Sequence, residues 1–331
     1  MEQNVLRKVQ LTELEIAKEI KRVCEENGIR YFLYRGTFLG AVRHQGFIPW
    51  DDDMDIAMLR EDYDRFRAIA PEKLDKRFCF QDWHTDPGYA HPFGKVRKRG
   101  TFFVEAKCKP LAENGIYVDV YPLDCAPEDL KRRKKLAWKL LQLYRMKLMK
   151  SGYTPWREET RIVWKKRIGY LLYQAAALLF SQEKLIKAYE DAIRAVAAGD
   201  TVYEQSALPI AYYFPREWCE QLAEYPFEGE AFPGPREYDR FLTSLYGDFM
   251  TPPPEGKREN RHQILELKFE IRGGVILVYL RRLWNNLVHT LLLRGEASNE
   301  QEYTQLKLHN HLSCTTDRRL PSNEISLRKV G

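Results

Sequence analysis

Apolar side chains at positions 11, 14, 16, 17, 20 and 23 recur with a helical period and predict a helix over Leu11–Glu26. Thr12 and Glu15 have the spacing of a capping box at its start, and Asn27-Gly28 reads as its stop. The pattern then shortens. "IRYFLYRG" is a brief aromatic strand ended by Gly36, and "TFLGAVRH", from Thr37, returns to helical spacing until Pro49 breaks it. "DMDIAML" alternates, with Asp53, Asp55, Ala57 and Leu59 on one side and Met54, Ile56 and Met58 on the other. That period of two predicts a strand from which Asp53 and Asp55 point the same way. A helix over "REDYDRFRAIAPEKL" and strands in "FCFQDW", "FGKVRKRG", "TFFVEA" and "GIYVDVYPLD" follow.

Beyond Pro127 the spacing becomes helical, through "EDLKRRKKLAWKLLQLYRMKLMK" and from Trp164 to Ala198. The proline- and aromatic-rich stretch from Tyr212 to His262 reads as loops and short helices. "VILVYLRRLWNNLVHTLLLRG" is again helix-like, and the polar tail after it has no regular apolar period. The fold class is α+β, a mixed sheet with helices followed by a mainly helical C-terminal part. Its divisions are a core at 1–127, a helical and loop region at 128–270, a basic amphipathic helix at 271–295 and a flexible tail at 296–331.

Charge and composition narrow the function class. Fifty-three basic against 47 acidic residues give a net charge of +6, without the concentrated basic footprint of a nucleic-acid binder. An anionic substrate or an acidic membrane surface remains compatible. The six cysteines, at 24, 79, 108, 125, 219 and 314, form no CxxC pair and read as reduced thiols. The N-terminal segment is charged throughout, and the apolar runs Ile168–Phe180 and Gly273–Leu280 fall short of the roughly 20 residues that a span needs. A cytoplasmic location is the expectation. Leu130–Lys150 interleaves nine Lys or Arg with Trp138, Leu140, Leu141, Leu143 and Tyr144. It reads either as a helix on an anionic membrane surface at the inner face or as a core helix with a solvated basic side.

The chemistry concentrates in "GFIPWDDDMDIAM", where Asp51, Asp52, Asp53 and Asp55 fall within five positions. Carboxylates this close repel unless a cation relieves them. Two on one face of a strand suit Mg²⁺ or Mn²⁺, which complete their shell with phosphate oxygens and water. Asp119, in the otherwise apolar "YVDVYP", needs a partner of its own, and a metal would provide one. Gly36-Thr37, at a strand-to-helix junction, would offer backbone N–H groups and a hydroxyl to a phosphate. Asp52 suits the turn after Trp50. Asp51 either extends the metal site or caps that turn.

"RGTFLGAVRHQGFIPWDDDMDIAMLREDY", "GIYVDVYPLD" and "FEGEAFPGPREYDRFLTSLYGDFMTPPPEGKRENRH", in that order, resemble the LicD family, which includes bacterial phosphocholine transferases and fukutin-related ribitol-phosphate transferases. The resemblance covers about Leu11 to His262. It implies a nucleotidyltransferase-like fold that transfers a phospho-alcohol, phosphocholine-like, from a CDP-linked donor. The acceptor it implies is a hydroxyl of a cell-surface glycan or lipid-linked glycan, as in lipopolysaccharide or teichoic acid synthesis. It also implies a divalent metal held by Asp53, Asp55 and Asp119, with Asp119 as the proton acceptor, and a phosphate turn at Gly36 and Thr37. Arg35, Arg43, His44, Lys95 and Arg97 are the candidates for neutralising phosphoryl charge, or are solvated surface cations. Asp248, in "YGDFM", and His262 are candidates for donor or acceptor binding; Phe249 stands where the family usually has tyrosine. Two other readings are a D-x-D glycosyltransferase using a nucleotide-sugar and a non-catalytic partner of this fold at a membrane surface.

Overall fold

The computed structural model describes residues 2–105, 113–153, 164–196, 199–204, 212–260, 262 and 264–270. The expected basic helix at 271–295 and the tail from 296 lie outside the described residues.

Helix α1 (Gln3–Glu26) begins well before Leu11, because Val5, Leu6 and Val9 continue the buried stripe of Ile16, Ile20 and Val23. Thr12 is therefore in mid-helix, its Oγ1 donating to Lys8 O at 2.8 Å, and no capping box forms. The expected stop holds: Asn27 is the C-cap and Gly28 adopts φ 58°. Strand β1 (Phe32–Leu33) leads into α2 (Arg35–His44), two residues earlier than the sequence suggests. Strand β2 (Asp55–Leu59), α3 (Arg60–Lys73), β3 (Phe78–Gln81), β4 (Gly94–Lys98), β5 (Phe102–Glu105) and β6 (Tyr117–Cys125) complete the first half.

These strands build a mixed sheet of order β1-β2-β6-β4-β3. Only β2 and β6 run parallel; the other pairs are antiparallel. Lying between β1 and β6, β2 has all five residues buried, so its alternation does not separate a polar face from an apolar one. A strand covered on both faces reads as a continuous apolar run, which Ile56 to Leu59 supply. Asp53 precedes the strand, in the loop that enters it. Helices α1 and α3 touch each other and pack on this sheet.

Helices α4 (Leu130–Lys150), α5 (Trp164–Leu179) and α6 (Gln182–Arg194) form the expected helical stretch. Leu140 and Tyr144 of α4 and Ile186, Tyr189 and Ile193 of α6 close a second core over Trp83 and Tyr89. The chain then returns to strands. β7 (Thr201–Glu204) pairs with β6, and β8 (Tyr212–Pro215) pairs with β7. After α7 (Arg216–Glu220), β9 (Leu222–Phe227) and β10 (Glu230–Pro235) form a hairpin, and α8 (Tyr238–Tyr246) follows. β11 (Ile264–Lys268) pairs with β5.

The reading of Tyr212–His262 as loops and short helices is thus corrected. Its prolines argue against strands, but a two-stranded ribbon has free edges on which proline costs no ladder bond. The signal was the two-residue Glu228-Gly229 turn, with φ 55° and 81°, of the kind that matches strand twist in hairpins. Phe241 of α8 stacks on Phe214 of β8 at 4.5 Å between ring centroids, and meets Phe32, Tyr34 and Phe38 edge-on. This aromatic cluster fixes the late elements against β1 and α2, the two that lead to the acidic loop.

Candidate functional site

The site grows from the head of β2. Asp55 is its first residue, and the parallel register sets it directly beside Asp119 of β6. Backbone bonds lock this pair: Tyr34 N donates to Asp55 O at 3.0 Å, and Asp119 N donates to Met54 O at 2.9 Å. The first turn of α2 is tied to the same place, because Asp55 N donates to Thr37 Oγ1 at 2.8 Å. Gly36 leaves room there for a carboxylate. A Cβ on it would lie 2.7 Å from Asp51 Oδ2, so the Asp51 carboxylate rests over the first turn of α2, where the helix dipole favours negative charge.

The charges at this junction are unusual. Asp55 and Asp119 are 5 and 6 % exposed, and Asp55 Oδ1 is buried without a hydrogen-bond partner. Burial first, then the neighbouring Asp53, holds the Asp55 carboxyl well above its ordinary range, against the opposing pull of Arg35. Burial also raises Asp53, opposed by His262 and reinforced by Asp52 and Asp119; the Asp51 and Asp53 carboxyls are in hydrogen-bonding contact. Asp119 is better served. Lys95, opposite it in the β4–β6 register, brings Nζ to 2.6 Å from Oδ1, and Tyr121 OH donates to Oδ2 at 3.1 Å.

Arg35 stands at the entrance to α2 with φ 47°, a left-handed conformation that a residue other than glycine adopts at a cost. Its guanidinium lies over the Tyr121 ring at 4.6 Å and forms an ion pair with buried Glu204 of β7. Arg97 is occupied in the frame, donating to Gln81 Oε1 and to Gly115 O at 2.7 Å. Arg43 and His44 belong to the last turn of α2, about 10 Å along the helix from its first turn. There Arg43 Nη1 donates to Phe249 O at 2.7 Å, and His44 meets Trp50 edge-on.

The third motif closes over the acidic loop. Asn260 Nδ2 donates to Trp50 O at 3.1 Å, and Arg258 lies over the Trp50 ring at 5.3 Å. His262 Nδ1 approaches Asp52 Oδ1 at 3.1 Å, and its backbone N donates to Asp52 Oδ2 at 3.3 Å. Burial opposes a charge on His262, but Asp52, Asp53 and Glu105 outweigh it and raise the imidazole to about 10. Asp52 is therefore no solvated turn residue: it is 1 % exposed and anchors the distant His262 segment. Asp248 lies apart, exposed, its Oδ1 accepting from Thr251 N at 3.2 Å within its own turn.

Besides Tyr121, Glu204, Arg258 and Asn260, two residues of α1 were not singled out from the sequence. Gln10 Nε2 donates to Asp51 O at 2.9 Å, and Glu13, 2 % exposed one turn later on α1, faces Asp51, Asp52 and Asp53. Burial and those three carboxylates hold the Glu13 carboxyl well above its ordinary range. A signal existed: Gln10 and Glu13 interrupt the apolar stripe of Val9, Ile16 and Ile20. Among the described residues the three ligand atoms within 4.8 Å of one another are those of Asp52, Asp53 and His262. Asp55 and Asp119, side by side in the register with an orphaned buried oxygen on Asp55, offer an all-oxygen set. Such a set fits a hard divalent cation, which would satisfy that oxygen and relieve the repulsion.

The comparisons with known proteins agree with this architecture. Residues 28–155 match the family model described as LicD/FKTN/FKRP, nucleotidyltransferase domain. Over 274 residues the chain is 28% identical to the lipopolysaccharide cholinephosphotransferase LicD of Haemophilus influenzae, covering 79% of this chain and 97% of that protein. It is 46% identical over 48 residues to the human ribitol 5-phosphate transferase FKRP, which is 14% of this chain and 10% of that one. An uncharacterized protein of Rickettsia typhi is 45% identical over 58 residues, 18% of this chain and 19% of its own. The matched region runs from the first strand through the acidic loop and Asp119 into α4, and the long alignment carries the likeness across most of the chain. Residues 28–155 thus carry a LicD-family domain, and the likeness to LicD extends over most of the chain.

Proposed function

We propose that the protein transfers a phospho-alcohol, phosphocholine-like, from a CDP-linked donor to a hydroxyl of a glycan. The observation that carries this reading is the side-by-side setting of Asp55 and Asp119 at the N-terminal end of α2, with an unsatisfied carboxylate oxygen on Asp55. The similarity to a cholinephosphotransferase and to a ribitol 5-phosphate transferase supports the reaction class.

The transfer forms a bond from the acceptor oxygen to the phosphorus bearing the alcohol and breaks the bond from that phosphorus to the CMP leaving group. The acceptor's proton must go somewhere. Asp119 takes it in this scheme, held in place by Lys95 and Tyr121. The backbone N–H groups at Gly36 and Thr37 bind a donor phosphate, displacing or sharing the position of the Asp51 carboxylate. Arg35 and Lys95 supply fixed positive charge beside the transferring phosphoryl, where it is worth most in a water-poor site. Asp53 and Asp55 would hold Mg²⁺ or Mn²⁺, with Asp119 as the third carboxylate. Such an ion, when bound, neutralises charge on the pyrophosphate and lowers the cost of ionising the acceptor hydroxyl.

The acceptor in this reading is a lipid-linked glycan met at the inner face of the membrane. Among the described residues no helix is long and apolar enough to cross a bilayer. Peripheral contact is supported by the basic α4, whose Trp138 is 66 % exposed, and by Leu178 and Leu179 at the end of α5, 80 and 81 % exposed.

Calorimetric titration with CDP-choline and CDP-ribitol, each with and without Mg²⁺, tests the proposal on the wild-type chain and on Asp53→Ala/Asp55→Ala. Binding of one CDP-alcohol that needs the metal and is lost in the double variant is the expected result. Binding of a nucleotide-sugar with no CDP-alcohol binding would replace it with a glycosyltransferase, and binding of none of them would leave a non-catalytic partner.

A further inference from the structure

Behind the Asp55–Asp119 pair lies a second group of donors that the proposed transfer does not use. Asp52, Asp53 and His262 each offer a ligand atom within 4.8 Å of the others. Glu13 of α1 lies outside that 4.8 Å group but within reach of its charges. It is 2 % exposed, its Oε2 is buried without a hydrogen-bond partner, and the charges acting on it are Asp51, Asp52, Asp53 and His262. Helix α1 is fixed against this loop by Gln10, which donates to Asp51 O at 2.9 Å. A glutamate in the apolar stripe of a helix, with an oxygen left without a partner, costs several kcal/mol unless a cation meets it.

The histidine is set up as a ligand. Its Nδ1 faces Asp52 Oδ1 at 3.1 Å, and its backbone N binds the other Asp52 oxygen. A carboxylate on Nδ1 fixes the ring, the arrangement by which histidine ligands are oriented in metal sites, and an ion binding at Nε2 would take the place of its proton. Here that carboxylate comes from the acidic loop and the imidazole from more than two hundred residues away.

We propose that Glu13, Asp53 and His262, with Asp52 orienting the imidazole, form a second divalent-cation site of mixed carboxylate and nitrogen donors. The imidazole and the small donor number suit Mn²⁺ or Zn²⁺ better than Mg²⁺, which prefers oxygen and retains its waters. The site joins α1, the acidic loop and the segment before β11, so a bound ion ties the N-terminal helix to the third motif. It shares Asp53 with the site proposed for the transfer, but it does not need Asp55.

The test is Mn²⁺ titration of the untagged full chain, followed by calorimetry for stoichiometry and by pulsed EPR for nitrogen coupling from an imidazole. Wild type is expected to bind two ions. Asp55→Asn is expected to retain one, with nitrogen coupling. In His262→Gln that coupling disappears, and in Glu13→Gln the affinity of the retained ion falls at least tenfold. Circular dichroism of each variant establishes that it is folded. A single ion that Asp55→Asn abolishes, without nitrogen coupling, overturns this second site and leaves the first standing. A single ion that survives Asp55→Asn with nitrogen coupling supports the second site and removes the Asp55 site. No bound ion overturns both, and coupling that persists in His262→Gln overturns the assignment of the ligand.

Discussion

Asp55→Asn should make the metal-free protein more stable while abolishing transfer. Most substitutions of a buried polar group destabilise, so the sign is the test. Asp55 is 5 % exposed, its Oδ1 has no partner, and Asp53, Asp119 and Asp51 all act on it as like charges. The amide is nearly the same size. It removes the charge and turns one oxygen into an NH₂ that can donate to a neighbouring carboxylate, a bond worth roughly 1.5–3 kcal/mol when one partner is charged. Against this stands the loss of attraction to Arg35, which keeps its ion pair with Glu204. The net expectation is a gain of about 1–3 kcal/mol, or roughly 1–5 °C in melting temperature for a chain of this size. Thermal unfolding in EDTA measures it. The same melts with Mg²⁺ supply the second half: at a hundredfold excess over Kd the wild type gains about 2.7 kcal/mol, and the variant gains little. A variant that melts below wild type in EDTA would refute the reasoning, since it would mean that the Asp55 charge is satisfied within the protein.

Two further expectations concern the frame. Gly115→Ala places a Cβ 2.1 Å from Lys98 O, a backbone atom of the neighbouring strand that cannot swing aside. It should cost about 3 kcal/mol or more and lower the urea midpoint, and a loss under 1 kcal/mol would contradict the close approach of the two strands. Glu190 of α6 meets His84 Nε2 at 2.7 Å and Arg67 Nη1 at 3.2 Å. Burial raises this carboxyl, but the His84 and Arg67 contacts outweigh it and bring it from its usual 4.5 to about 2. A carboxylate held below its unfolded value stabilises the fold fully above about pH 4.5 and loses that contribution as pH falls toward 2. The shift corresponds to roughly 3 kcal/mol at most, and with His84 40 % exposed, solvent screening reduces it to about 1–2 kcal/mol. Glu190→Gln should therefore show a shallower loss of stability between pH 5 and 3 than wild type in chemical denaturation.

The sequence by itself determined the element types of the first half and the place of the chemistry. Period-two patterns, apolar runs and helical spacings located β2, α3, β3 to β6, α4 and α6, because the need to bury a strand or one face of a helix is written into adjacent residues. Four aspartates in five positions marked the acidic loop for the same reason: local charge density is a local property. The tertiary structure decided what each carboxylate meets. Asp53 and Asp55 look equivalent in an alternating pattern, yet the strand begins only at Asp55, because its register is set by β1 and β6 on either side. Asp52 reads as a turn residue until a chain segment 210 positions later brings His262 onto it. Lys95 and Asp119 become a pair only when β4 lies antiparallel to β6, and Glu13 enters the site only when α1 packs beneath the loop. Partners distant in sequence leave no trace in a local pattern, because burial and charge pairing are fixed by which surfaces the folded chain brings together.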